Sequence, residues 1–229
     1  MRIVSPPRNA TPPIVAVPAD PAPPAVRKVH VGCGPKALLP GWCNTDVRPF
    51  PGVDAVLDAT QPWPFRDLTH VFGEHFIEHL EIDAAIRFLV HAGAALAPGG
   101  RIRLSTPNLA WVVHAHFDLD PPSLERRIED TLAMNRGFYG WGHRFLWTEE
   151  MLRLVMTAVG YEDVEAFAYG ESRDPELRGL ERHGGYVVEG GHPSVIILEG
   201  VRGERPIAPD PAIDAWLERE LLCHVRSGH

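Results

Sequence analysis

Along residues 27–203, short apolar runs bounded by glycine or proline alternate with longer stretches whose apolar positions recur every three to four residues. The run "VRKVHV" stops at the glycines of "GCG", and its β-branched residues predict a buried strand. Shorter strand candidates follow at "WCNTD", "VDAVLD" and "LTHVFGE". In "EIDAAIRFLVHAGAALAPGG", Ile82, Ile86, Leu89, Val90, Gly93 and Leu96 share one face, which predicts a helix stopped by Pro98, Gly99 and Gly100. "RIRLSTPN" predicts a strand ended by Pro107. In "TEEMLRLVMTAVGYEDVEAFAY", Thr148 is the N-cap, Met151, Leu152, Val155 and Val159 form one face, Gly160 is the stop, and a strand follows. "PSVIILEGV" supplies the last strand.

Strands separated by helices, with polar and glycine-containing turns at the strand ends, predict an α/β sheet covered by helices on both faces. Ligands of such sheets sit at the carboxyl ends of the strands. Residues 1–26 hold eight of the 23 prolines without apolar period, and are expected to be a disordered tail ahead of a domain over residues 27–203. Residues 108–147 and 170–193 are longer than the connections require and are expected to be insertions near the substrate pocket. In residues 204–229, Asp210 and Pro211 open a helix with Ile213, Trp216, Leu217 and Leu221 on one stripe. That helix is expected to dock on its own domain, with pairing of two subunits into a homodimer as the alternative.

The formal net charge of −8 and the lack of a basic run argue against nucleic acid as a partner. Cys33, Cys43 and Cys223 form no CxxC pair and leave an odd count, which fits a reducing compartment, the cytoplasm. No segment reaches the roughly 18 to 20 apolar residues of a membrane span, and the N-terminus lacks the apolar stretch of a signal peptide.

The stretch "KVHVGCGPKALLPGWCNTD" carries the first chemical question. Gly32, Gly34 and Ala37 fit a dinucleotide pattern in which a pyrophosphate rests on the N-terminus of a full crossover helix, with an acidic residue about 20 positions on. Here Pro40 and Gly41 interrupt the chain within a few residues, and Asp46 comes only twelve positions after Gly34. S-adenosylmethionine (SAM) has no phosphate. It asks for close backbone at the glycines and for acidic side chains. Asp46, ending the second strand, is placed to accept both ribose hydroxyls, and Asp58, ending the third, to accept from the adenine amino group. Taken singly, each aspartate also reads as a turn-stabilising residue.

The segments "VHVGCGP", "PGWCNTD", "DAVLDATQPWPF", "HVFGEHFIEHL", "LAPGGRIRLSTPN" and "GHRFLWTEEMLRLVMTAVGYEDVE", in this order, resemble the class I SAM-dependent methyltransferases, in particular a small bacterial group. The resemblance covers about residues 28–168. It implies a Rossmann-like, seven-stranded, mostly parallel sheet with the last strand inserted antiparallel. It also implies SAM contacts at Gly32 and Gly34, a ribose contact at Asp46, and an adenine-side contact around Asp58 and Ala59. With their neighbours these give a candidate cofactor set of His30, Gly32, Cys33, Gly34, Asp46, Val47, Asp58, Ala59 and Glu74. The chain departs from the wider family in carrying His30 where an acidic residue is usual and Pro35-Lys36 in place of a third glycine. Its links between the first three strands are also short: six residues, "VRPFPG", separate Asp46 from Val53.

After the fourth strand, "GEHFIEHL" places Glu74, His75, Glu78 and His79 where cofactor and acceptor meet in this family. His75 is the first candidate for the base that takes the acceptor's proton, and His143, in "GFYGWGHRF", is the second. Tyr139, Trp141, His143 and Arg144 read either as an aromatic and polar wall for a flat or sugar-like acceptor or as a glycine-rich loop anchored by buried aromatics. His75, Glu78 and His79 resemble the E-x-x-E-H metal motif of the ubiquinone O-methyltransferases, with His75 in place of the first glutamate, but capping or inter-element hydrogen bonds at a helix start are the favoured account, and no metal is assigned. His114, His116, Asp118 and Asp120 read as an exposed turn. The expectation is SAM-dependent methyl transfer to a small acceptor, a hydroxyl of a sugar or secondary metabolite. The alternatives are a catalytically inactive methyltransferase-like binding subunit and an NAD-dependent sugar-modifying oxidoreductase.

Overall fold

The computed structural model describes residues 26–183 and 186–227. Apart from Val26, the proline-rich tail expected at residues 1–26 lies outside them.

β1 (Lys28–Val31) lies between β2 (Cys43–Asp46) and β4 (Leu68–Glu74), parallel to both, and β3 (Ala55–Val56) continues the sheet beyond β2. On the other side β4 pairs in parallel with β5 (Leu96–Pro107). β9 (Val195–Arg202) is inserted antiparallel between β5 and β6 (Tyr161–Ala166), giving the order β3-β2-β1-β4-β5-β9-β6. A separate hairpin joins β7 (Val188–Glu189) to β8 (His192–Pro193).

Successive strand residues point to opposite faces. One face presents Val29, Val31, Val71, Ile102, Leu104, Ile196 and Leu198 to a single apolar core. Helix α1 (Ile82–Ala95) adds Ala85, Ile86 and Leu89 to it, and α4 (Glu149–Val159) adds Leu152, Val155 and Met156. α5 (Pro211–Leu217), capped by Asp210, adds Leu217, with Ile213 and Leu221 packed against the same core. Each fully buried Leu or Ile here contributes roughly 1.5–3 kcal/mol.

The second face was also expected to carry helices. No helix is formed between β1 and β4, because the links are too short. Over β1, β4 and β5 that face is covered by loop segments: Leu39, Trp42 and Leu177 pack around Phe72, with Leu180 against them. Deeper in the same layer, Arg103 of β5 is fully buried between Glu181 of the long segment before β9 and Glu199 of β9. Its Nε donates to Glu181 at 2.7 Å and its Nη1 to Glu199 at 2.5 Å and to the Glu171 carbonyl at 2.9 Å.

Two local expectations change. The third strand shrinks to Ala55–Val56, an edge pair whose Val56 is exposed. Pro98, Gly99 and Gly100 do not end α1 as a separate linker. The helix passes at Leu96 straight into β5, and the ladder skips from Leu68 paired with Leu96 to His70 paired with Arg101, so residues 97–100 bulge out of it.

Candidate functional site

The carboxyl ends of β1, β4 and β5 open onto a cavity of about 700 Å³, also lined by residues of the segment 108–147 and by His183 of the segment 170–193. Its floor is the turn after β1. Gly32 has φ +63°, and a Cβ there would stand 2.5 Å from the Phe76 ring, so no other residue fits without moving that ring. Gly34 has φ +56° but open space where a Cβ would go, which is what close approach of a ligand to the backbone requires. Asp46 fixes this turn: its Oδ2 accepts from Gly34 N at 3.0 Å and its Oδ1 from Arg48 N at 2.9 Å. The chain then reaches β2 through turns without a helix.

His30, Gly32, Cys33, Gly34 and Glu74 of the candidate cofactor set line the cavity; Asp46, Val47, Asp58 and Ala59 do not. Asp46 lies just behind the glycines. Val47 is exposed, and Ala59 is buried in the apolar core, where its carbonyl accepts from Trp63 Nε1. Asp58 is exposed, and its Oδ1 accepts from Thr60 Oγ1 at 2.6 Å and Thr60 N at 3.0 Å. Those bonds hold its carboxyl below the usual range. These are the bonds of a turn residue, and both fall on Oδ1, leaving Oδ2 uncommitted to Thr60.

His30 is 1 % exposed, with Nδ1 3.3 Å from Asn44 Oδ1 and its ring against Phe72. Burial pushes its pKa down to about 4, so it is neutral near pH 7. Because the folded value lies below the unfolded one near 6.5, this contribution to stability is complete above about pH 6.5 and declines as pH falls toward 4. The expected loss is about 3 kcal/mol, read as a falling guanidinium midpoint across that window. His30→Gln should flatten the decline, and an equally steep decline in the variant would assign it to other groups. Burial raises the Cys33 thiol to about 11, leaving it protonated and a poor nucleophile.

Glu74 is buried and committed to the second insertion, accepting from Arg182 N at 2.9 and 3.0 Å and from His183 N at 3.0 Å. The next residue, His75, has φ +47°, an uncommon conformation for a side-chain-bearing residue, held by its N–H donating to the Ser105 carbonyl. His75 Nδ1 lies 3.0 Å from Glu78 Oε1, and Glu78, fully buried, accepts from Thr106 Oγ1 at 3.0 Å through its other oxygen. With Nδ1–H donated to a carboxylate, the lone pair of His75 stays on Nε2. This is the orientation of an imidazole held for proton transfer.

The first insertion forms α2 (Leu109–His116), α3 (Leu124–Asn135) and a π-helical turn Arg136–Gly140. His114 and His116 belong to α2 rather than to an exposed turn, and only Asp118 and Asp120 precede α3 as loop residues. His143 is buried and lines the cavity, its Nδ1 2.7 Å from the Gly137 carbonyl. Burial lowers its pKa, against the opposing pull of Glu78. Trp141, itself largely exposed, lines the cavity beside it, whereas Tyr139 is exposed without lining it, and the Arg144 guanidinium lies 3.8 Å from Glu81. Sequence reasoning missed Trp111, His116 and His183, which also line the cavity. His183 lies against His75, the two rings tilted with centroids 4.2 Å apart. Their only signal was membership of overlong links, since contacts across 108 residues leave no local period.

No protein-family model and no curated protein matches the chain. Among solved structures it is similar to the citrinin polyketide synthase CMeT domain, at 13% identity over 79% of this chain and 47% of that one, TM-score 0.47. It is similar to the S-adenosylmethionine-dependent methyltransferase SibL, at 14% identity over 79% and 51%, TM-score 0.47. A third is a SAM-dependent methyltransferase from Archaeoglobus fulgidus, at 16% identity over 78% and 86%, TM-score 0.48. The chain spans about half the length of the first two. No helix among the described residues is long and apolar enough to cross a membrane. By its strand order, with β9 inserted antiparallel between β5 and β6, the domain has the Rossmann-like fold of the class I methyltransferase type.

Proposed function

We propose that the chain binds SAM at the turn after β1 and transfers its methyl group to a hydroxyl of a small acceptor, a sugar or secondary metabolite. The observation that carries this reading is the turn itself: open space before Gly34, an aspartate behind it, and no helix leading to β2. A dinucleotide pyrophosphate would need the N–H groups of a helix start there. A nucleoside without phosphates needs only the close backbone and an acidic side chain. Each Asp46 oxygen accepts one N–H, and a carboxylate oxygen has the lone pairs to accept a second bond, so from behind the glycines the pair would take a ribose diol that reaches the turn.

The cavity's volume suits a small-molecule site, and Trp111 and Trp141 offer flat walls for an acceptor. In the transfer, the acceptor oxygen forms the O–CH₃ bond as the S–CH₃ bond breaks, and that bond's electron pair stays on sulfur. The hydroxyl proton passes to His75 Nε2, leaving S-adenosylhomocysteine and a methyl ether. Positioning supplies much of the rate in such a displacement, and a base matters because the nucleophile is a hydroxyl. His143, oriented by Gly137, is the second group within the cavity able to bond the acceptor.

Asp46→Ala should weaken S-adenosylhomocysteine binding at least about tenfold by calorimetry, the loss of roughly one hydrogen bond to a charged group. Asp46→Asn, which keeps one acceptor for Gly34 N, should retain the turn and lose part of the affinity. Unchanged affinity in both would make Asp46 a turn residue only.

A further inference from the structure

We propose that Glu78, His79 and His143 form a binding site for a divalent transition-metal ion of the zinc class, its open coordination positions facing the cavity. One ligand atom from each of the three lies within 4.8 Å of the other two, although His143 is 64 residues from His79. Ligand atoms about 2.1 Å from a shared ion stand roughly 3.5 Å apart, so closing around it takes about 1 Å of side-chain movement.

The surroundings are those that metal ligands need. His143 Nδ1 is 2.7 Å from the Gly137 carbonyl and His79 Nδ1 is 3.3 Å from the Gly142 carbonyl. Donation from Nδ1 to a backbone carbonyl fixes the tautomer and leaves the lone pair on Nε2, the pattern of a histidine held for a metal. Glu78 is steadied by Thr106 Oγ1, and its backbone carbonyl accepts from Arg144 N and Phe145 N, which ties His143's segment to the turn carrying Glu78 and His79. All three residues line the cavity. His75 stays outside the set, because its Nδ1 bonds Glu78 rather than converging with the other two.

Two imidazoles and one carboxylate favour zinc, cobalt or iron over magnesium or calcium, which select oxygen. Three protein ligands leave at least one position open. For its role, the inference rests on the methyl-transfer reading: an ion there would hold the acceptor oxygen beside His75 and ease loss of its proton. Binding of the ion does not depend on that reading.

The test is titration of metal-stripped full-length protein with cobalt chloride, followed by visible absorption, with zinc chloride and magnesium chloride as competitors. One cobalt per chain is expected, displaced by zinc and not by magnesium. His79→Ala, at an exposed position, should lower affinity at least tenfold, and His143→Gln should do the same. Absence of cobalt bands, or equal binding by wild type and both variants, would overturn the site. Calorimetry with S-adenosylhomocysteine on the same samples separates the two claims: nucleoside binding without metal binding overturns only the ion, and the reverse overturns only methyl transfer.

Discussion

Replacing His75 by alanine is expected to lower methyl transfer from labelled SAM to a hydroxylated acceptor by about 10²–10⁴-fold, the usual worth of a positioned base. Affinity for S-adenosylhomocysteine should stay unchanged. The split follows from position. His75 stands at the end of β4, facing the cavity, while the contacts proposed for the nucleoside come from the turn after β1. Its ring is held by the fully buried Glu78 at 3.0 Å, and Glu78 is held in turn by Thr106. Loss of the imidazole removes the proton's destination without touching Gly32 or Gly34. The left-handed backbone at position 75 is held by its N–H on the Ser105 carbonyl, a bond that alanine keeps, so the fold should persist. Full turnover in the variant would dismiss His75 as the base. Equal losses of turnover and nucleoside affinity would make it a binding residue instead.

Arg103→Leu is expected to cost about 3–5 kcal/mol of stability, because it strands two buried carboxylates that share one guanidinium. Glu181 and Glu199 are both buried, and a buried carboxylate that loses its hydrogen-bonded cation is costly. The cost should appear as a lower guanidinium midpoint. Arg103 also donates to the Glu171 carbonyl, so it fastens the long segment before β9 at two points. The same segment covers Glu74 with the N–H groups of Arg182 and His183 and brings His183 against His75. The variant should therefore also expose residues 171–183 to faster amide exchange than the α1 and α4 core. A change below about 1 kcal/mol would mean that the pair of carboxylates escapes to water, as surface ion pairs do.

The helices and central strands were legible because their signals are local. Thr148 and Gly160 bracket α4 as a side-chain cap and a left-handed stop, and the residues spaced three and four apart in α1 and α4 are those that enter the core. The missing helix after β1 was legible too, from Pro40 and Gly41. What covers the second face was not. Arg103 reads as one polar residue in an alternating strand, and its partners lie 78 and 96 residues away. Within the cavity, the spacing of His75, Glu78 and His79 showed that they share one turn but not that His143 comes beside them. In the folded chain Glu78 orients His75 on one side and meets His79 and His143 on the other. Asp58 reads from sequence both as a ligand contact and as a turn residue, and its bonds to Thr60 two residues on are of the second kind.

The account turns on whether the cavity after β1 takes a nucleoside without phosphates. Calorimetric titration of the purified full-length chain with S-adenosylhomocysteine, NAD and NADP tests this directly. Binding of S-adenosylhomocysteine in about the micromolar range, with no heat from either dinucleotide, is the predicted result. Binding of NAD or NADP, or no binding of any of the three, would contradict it.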